Sequence, residues 1–80
     1  MDAHVERLLA RVAAEDLGED FTARNRERLY HIAAFACSQN VVPSQEEVKT
    51  TLLTFGCSLE KAITLSQQFN DLCTIIKSDN

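Results

Sequence analysis

Cysteine and histidine are the residues in this sequence best suited to metal binding or nucleophilic chemistry. They are Cys37, Cys57, Cys73, His4 and His31. A structural zinc site needs four ligands, usually in close pairs such as C-x-x-C, and these residues form no such pair. We therefore expect no metal site and no cofactor. The three thiols are expected to be reduced and to pack as small hydrophobic groups.

Nucleophilic catalysis requires a base within hydrogen-bond reach of the nucleophile. His31 and Cys37 lie on one predicted helix, where a separation of six residues turns one by about 240° from the other, so their side chains point about 120° apart. Neither glycine has the neighbours of a phosphate-binding loop. A four-helix chain of 80 residues also has little room for a cleft once it has built a core. The sequence therefore predicts a non-enzymatic protein.

A stripe of basic and aromatic residues runs along the predicted second helix. Its members are Arg24, Arg28, His31 and Phe35. Arg24, Arg28 and His31 lie within about 40° of Phe35 around the helix axis, and the stripe points away from the apolar stripe of the same helix. An aromatic anchor with flanking Arg is enriched at protein-binding hot spots, whereas the alternative is that a neighbouring helix covers Phe35. We predict that this stripe is part of a protein-binding surface. Ile75 lies in the polar arc of the last predicted helix, so it too is either covered by a neighbouring element or part of a binding surface.

The composition excludes several classes of protein. Hydrophobic residues make up 45% and charged residues 25% of the chain, as in ordinary folded domains. A net charge of −4 gives no bulk attraction to nucleic acid or anionic lipid. The longest apolar run, residues 32–37, is too short to cross a bilayer, and the N-terminus lacks the features of a signal peptide. We expect one small acidic domain over residues 1–80, cytoplasmic and not membrane-bound.

The charges are distributed unevenly along the chain. All five Arg precede residue 29, and all three Lys follow it. Between the Arg groups lies an acidic connection made of Glu15, Asp16, Glu19 and Asp20. We expect these carboxylates to form salt bridges with nearby Arg, each of which contributes about 0 to 1 kcal/mol.

Apolar periodicity predicts four helices, over about residues 2–16, 22–39, 44–55 and 58–76. The expected N-caps are Asp2, Thr22, Ser44 and Ser58. Ser44 and Glu47 have the spacing of a capping box, the most specific local signal in the chain. The expected helix stops are Gly18, Pro43 and Gly56.

The same periodicity assigns the inward faces of the helices. They comprise Val5, Leu8, Leu9 and Val12; Leu29, Ile32, Ala33 and Ala36, widened by Tyr30 and Cys37; Val48, Leu52 and Phe55; and Leu59, Ala62, Ile63, Leu65, Ser66, Phe69, Leu72, Cys73 and Ile76. The apolar face of the fourth predicted helix is so wide that it must pack against more than one other helix. We therefore predict an all-α, compact four-helix domain with a short third helix and a central C-terminal helix.

A DNA-binding helix-turn-helix over residues 44–76 is the alternative function. An apolar residue, a glycine and a Ser-capped helix follow one another from Phe55 to Leu59, as in many such turns. However, residues 44–80 contain three Lys and five acidic residues, a net charge of −2. The phosphate contacts that hold such domains on DNA are therefore nearly missing.

The same stretch also resembles the loop of ubiquitin-associated domains. Phe55-Gly56-Cys57 occupies the position of that family's Met-Gly-Phe loop, and Ala62 occupies its downstream Ala. The loop aromatic is replaced by Cys57, and a break before a third helix is missing. The resemblance covers less than half of the chain.

The leading prediction is a small regulatory protein–protein interaction module. It would act as an adaptor, chaperone-like factor or inhibitor through a helical surface. In a core this small, the free energy gained by hydrophobic burial exceeds the entropy cost of ordering the chain by only a few kcal/mol. We therefore expect association with another protein or with a second copy, and the charge disfavours nucleic acid as the partner.

Overall fold

A computed structural model of the chain describes residues 1–15 and 21–78, with only the backbone described for residues 21–25. It contains four helices: α1 (Ala3–Ala14), α2 (Phe21–Gln39), α3 (Gln45–Thr54) and α4 (Leu59–Ser78). The described ranges contain no strand. The predicted all-α, four-helix architecture with a short third helix is therefore confirmed.

Three of the expected N-caps begin their helices. The Asp2 carboxylate accepts hydrogen bonds from two backbone N–H groups of α1, at 2.9 and 3.1 Å. Ser44 and Glu47 form the predicted capping box, and the Ser58 hydroxyl accepts from a backbone N–H of α4 at 3.2 Å. Thr22 is not an N-cap, because α2 already includes the preceding residue.

Helices α2 and α3 each end at a residue in the left-handed region. Gly56 has a φ of 99° and Asn40 a φ of 56°. At both ends, the N–H of the following residue donates to the carbonyl five positions earlier, at 3.0 Å, as in a Schellman motif. Gly56 was expected here. The end of α2 was also expected at the stretch Asn40-Val41-Val42-Pro43, but it is set by the left-handed Asn40 and not by Pro43. Gly18, the expected stop of α1, lies outside the described residues.

The helices pack in a closed ring. Helix α2 contacts α1 and α4, and α3 contacts the same two helices. The predicted core residues Val5, Leu9, Val12, Leu29, Ile32, Ala33, Ala36, Val48, Leu52, Ala62, Leu65, Phe69, Leu72 and Cys73 are all buried. Helix α4 supplies more of them than any other described helix, which supports its predicted central place. The buried Ser66 hydroxyl donates to a backbone carbonyl of its own helix at 2.9 Å, so this polar group is satisfied.

Four residues that were assigned to the core are exposed: Tyr30, Phe55, Leu59 and Ile63. Tyr30 lies about 100° from the buried Leu29 around α2, so the adjacent helix covers only about half of it. Phe55 follows the end of α3 and leaves the helical direction. Leu59 and Ile63 lie about 80° and 120° from the buried Phe69 around α4. The apolar arc of α4 is therefore wider than its neighbours cover.

The three cysteines are free thiols, with Cys73 buried and Cys37 and Cys57 half-buried. Burial raises the pKa of the Cys73 thiol to about 12, and the nearby Cys37 thiol adds to the shift. Burial also raises the pKa of Cys57, with Lys61 partly opposing it. Raised pKa values keep both thiols protonated at neutral pH, and a protonated thiol is a poor nucleophile.

Gly56→Ala should lower the free energy of unfolding by about 1 kcal/mol or more, because an L side chain is strained at a φ of 99°. No atom lies within 4 Å of the position that the added Cβ would take, so the loss comes from the backbone and not from a clash. The matched control is Asn40→Gly, which should change stability by less than about 0.5 kcal/mol because Gly adopts this region readily. Urea unfolding measures the free energy of unfolding of both variants. Equal losses in the two would contradict the assignment of the loss to backbone strain at Gly56.

Alkaline pH should destabilise the protein through Cys73. The unfolded chain releases this thiol proton near the ordinary pKa of 9.0, whereas the folded chain holds it up to about 12. Stability from this group is therefore complete below pH 9 and falls above it, because the unfolded state gains a thiolate first. Between about pH 8 and about pH 10, wild type should lose about 1 kcal/mol more than Cys73→Ala. Urea unfolding under reducing conditions tests this, and parallel losses would refute a buried, protonated thiol.

Candidate functional site

The predicted stripe on α2 borders helix α1. Arg28 and His31 are exposed, and Phe35 is half-buried. The side chain of Arg24 lies outside the described part of the structure. The structure therefore brings three of the four predicted residues to one flank of α2, beside α1.

Phe35 is neither a free anchor nor an interior residue. It packs against the edge of the hydrophobic core. Its ring centroid lies 4.7 Å from that of His4 on α1, with the planes tilted by 60°. Because His4 is exposed, the Phe35–His4 pair closes the seam between α1 and α2 at the surface.

Beside this pair, α1 and α2 form a small groove of about 220 Å³. It is lined by Leu8, Arg11, Val12, Arg28, His31 and Ile32. Val12 and Ile32 are buried and provide an apolar floor, whereas the basic residues are exposed and form the rim. We call this the α1–α2 groove.

Arg11 was not among the predicted site residues. It does not belong to the apolar stripe predicted for α1. Around the helix axis, however, it lies only about 60° from Leu8, which lines the same groove. The i, i+3 spacing of Leu8 and Arg11 was the available signal.

An ion pair joins the two helices at one end of the groove. The guanidinium of Arg28 donates to the carboxylate of Glu15, directly after α1. This pair confirms the expected salt bridge for Glu15. The other members of the acidic connection, Asp16, Glu19 and Asp20, lie outside the described residues. Both side chains are partly exposed, so the pair adds little stability. It does place one carboxylate of the chain against the basic rim.

A second groove, of about 540 Å³, lies on the opposite flank of α2, beside α4. It is lined by Arg26, Glu27, Tyr30, Leu72 and Ile75. Tyr30 and Ile75 are 48% and 47% exposed, so two large apolar side chains face solvent together. We call this the α2–α4 groove. The polar-arc position of Ile75 was the sequence signal for it, whereas Tyr30 was assigned to the core.

The helix-turn-helix alternative rests on the exposed side of α4. Glu60, Lys61, Thr64 and Gln67 are exposed there, and Gln68 is half-buried. The turn itself has the expected Gly56 and Ser58 geometry. Leu59 and Ile63 are exposed on the same helix, and apolar side chains there do not contact phosphates. DNA binding by residues 44–76 stays a prediction.

The described residues contain neither a metal-binding cluster nor a membrane-spanning helix. In residues 1–15 and 21–78, no group of three or more His, Cys, Asp or Glu side chains could hold a metal ion. None of the described helices combines the length and apolarity needed to cross a bilayer. The candidate sites are therefore surface grooves: the two on α2, and a depression of about 800 Å³ on α1 whose lining includes His4, Arg7, Arg11 and the exposed Phe55.

Phe35→Ala should cost about 1–2 kcal/mol of stability, because the side chain is only half-buried. The matched control is Phe69→Ala, which removes a fully buried ring and should cost about 3–5 kcal/mol. Thermal or urea unfolding of the two variants gives the comparison. A loss at Phe35 as large as that at Phe69 would make Phe35 an interior residue and remove it from the surface.

Comparison of the chain with known protein families, curated proteins and solved structures finds no match. The chain's own geometry is thus the basis for a functional proposal. It offers two apolar grooves on opposite flanks of α2, one with a basic rim and one with a rim of both signs.

Proposed function

We propose that this chain is a small, non-enzymatic protein-binding module that acts through the α1–α2 groove. The observation that carries the proposal is the arrangement of Arg11, Arg28 and His31 around an apolar floor. An apolar pocket with a charged rim is a common design of protein-binding surfaces. The module would act as an adaptor, chaperone-like factor or inhibitor, with a regulatory role.

The charge of the groove indicates the chemistry of the partner. The chain as a whole has a net charge of −4, yet all five Arg precede residue 29. Three basic side chains meet at the α1–α2 groove, and Glu15 partly neutralises them through Arg28. Arg11 and His31 are therefore the groups on which a partner's carboxylates would act. We infer a partner segment with acidic residues next to one apolar anchor.

The size of the groove favours a protein over a small molecule as the occupant. Its volume is about 220 Å³, below the range of about 300–1,000 Å³ for small-molecule sites. A single side chain from a protein surface fits such a volume, while the rim contacts the flanking residues. Helix-in-groove recognition uses this combination of apolar anchors and polar edges.

The cytoplasm is the compartment that we propose for this interaction. Three free thiols in an 80-residue chain suit a reducing environment, where disulfides do not persist. The raised pKa of Cys73 also slows its oxidation, since the thiolate is the reactive form.

Affinity capture with the full chain as bait tests the proposal. The bait variants are wild type, a double variant Arg11→Glu with His31→Glu, and the control Lys77→Glu at an exposed position in the last turn of α4. We expect the double variant to bind the captured partner at least about tenfold more weakly, because it places like charges together. The control should bind as wild type does.

Binding that is equal in the wild type and the double variant would exclude the α1–α2 groove. Capture of nucleic acid that is lost at moderate salt would favour the helix-turn-helix alternative instead. Circular dichroism of each bait confirms that the substitutions leave the helices intact.

A further inference from the structure

The α2–α4 groove has no role in the proposed partner contact, and it exposes two large apolar side chains. Tyr30 projects from α2 and Ile75 from α4, each nearly half exposed. Leu72, which is only 4% exposed, lies between them in the lining of the groove. Exposed apolar side chains that share one groove mark a docking surface more often than single scattered ones do. We propose that this groove is where two copies of the chain associate as a homodimer.

The charges at the rim favour a second copy as the occupant. Arg26 and Glu27 both lie about one turn before Tyr30, at about 40° and about 60° to either side of it. The rim therefore has no net charge and does not select an acidic or a basic partner. In a two-fold symmetric contact, residue i faces residue j of the other copy and j faces i. Arg26 of each copy then pairs with Glu27 of the other, and both pairs form at once.

The groove combines an exposed ring with a nearly buried side chain. Tyr30 is 48% exposed, whereas Leu72, in the same lining, is 4% exposed. A two-fold axis along the groove inserts each Tyr30 beside the other copy's Ile75. This contact removes the exposed apolar surface of both residues from water, and such burial drives most protein association.

The area available indicates a weak dimer. Specific interfaces bury about 600–1,000 Å² on each partner, against a total accessible surface of 4982 Å² for this molecule. A face bounded by extents of 34 and 24 Å can supply the lower end of that range. Because each copy carries a net charge of −4, the two also repel one another at long range. Both facts favour a weak, reversible dimer.

Sedimentation equilibrium of the full chain, from about 5 µM to about 500 µM, measures this association. Ile75→Glu should weaken the dimer at least about tenfold, because it places a carboxylate in the apolar groove. The matched control is Ile63→Glu on the same helix, about 120° away around the axis and 38% exposed. It should change the dissociation constant by less than about threefold. A wild-type chain that stays monomeric throughout, or a dimer equally sensitive to both substitutions, would overturn the proposal.

A charge-exchange cycle tests the pairing without touching the apolar residues. Arg26→Glu and Glu27→Arg should each weaken the dimer about tenfold, since each places like charges across the two-fold axis. The double variant restores opposite charges and should return to within about threefold of wild type. Losses that add in the double variant would refute this arrangement.

This proposal stands apart from the partner contact in the α1–α2 groove. The Arg11→Glu, His31→Glu double variant should dimerise as wild type does, because its changes lie on the other flank of α2. Each proposal can therefore fail without the other. A dimer lost in this double variant would instead assign the association to the α1–α2 groove.

Discussion

The close packing of α2 between α1 and α4 is the contact on which the rest of the molecule depends. Leu29, Ile32, Ala33 and Ala36 form its buried stripe, and three of them have no exposed surface at all. The two alanines lack the bulk that would hold a neighbouring helix away. With α2 buried along this stripe only, its two flanks stay at the surface. Each flank then forms one wall of a groove, α1 or α4 forming the other.

The helix ends fix that packing as firmly as the apolar side chains do. Asn40 and Gly56 stop α2 and α3 in left-handed conformations, and Ser44 and Ser58 begin the next helices within a few residues. Such short connections leave each helix few ways to place its apolar stripe. The chain, with only two Gly and one Pro, therefore depends on a few capping residues for its topology. Stability is spread thinly over many small contacts in a core of this size, and no single ion pair carries it.

The features that could be predicted from the sequence are those that depend on near neighbours in the chain. The Asp2, Ser44 and Ser58 caps are local hydrogen bonds, and the buried stripes follow from helical periodicity. Whether a residue at the edge of a stripe is covered depends on the width and angle of another helix. Tyr30 and Ile63 were therefore assigned to the core and lie at the surface.

In the candidate sites, too, some features follow from near neighbours in the chain, whereas others depend on how separate helices pack. The direction of Phe35 could be deduced from its position on α2, but its cover, the His4 ring, comes from a helix more than 20 residues away. Arg11 joined the site only once α1 and α2 were placed side by side. Ile75 was recognised as out of place in a polar arc, yet its partner Tyr30 belongs to a different helix. Periodicity gives the direction of a side chain from its own helix axis, and it carries no information on which helix lies there.

The placement of both grooves on α2 has a consequence for how they would operate together. Tyr30 and Arg28 point about 160° apart around the helix axis, so an occupant of one groove does not block the other. A dimer formed through the α2–α4 groove would keep both α1–α2 grooves at its surface, related by the two-fold axis. Two such grooves held at a fixed separation bind a partner with two acidic segments more tightly than one groove does, because the second contact becomes intramolecular. A weak dimer and a small groove can in this way support stronger binding than either contact supplies alone. Ala33 and Ala36 are fully buried and leave little space for α2 to shift against its neighbours. This close packing fixes the position of the two grooves relative to one another.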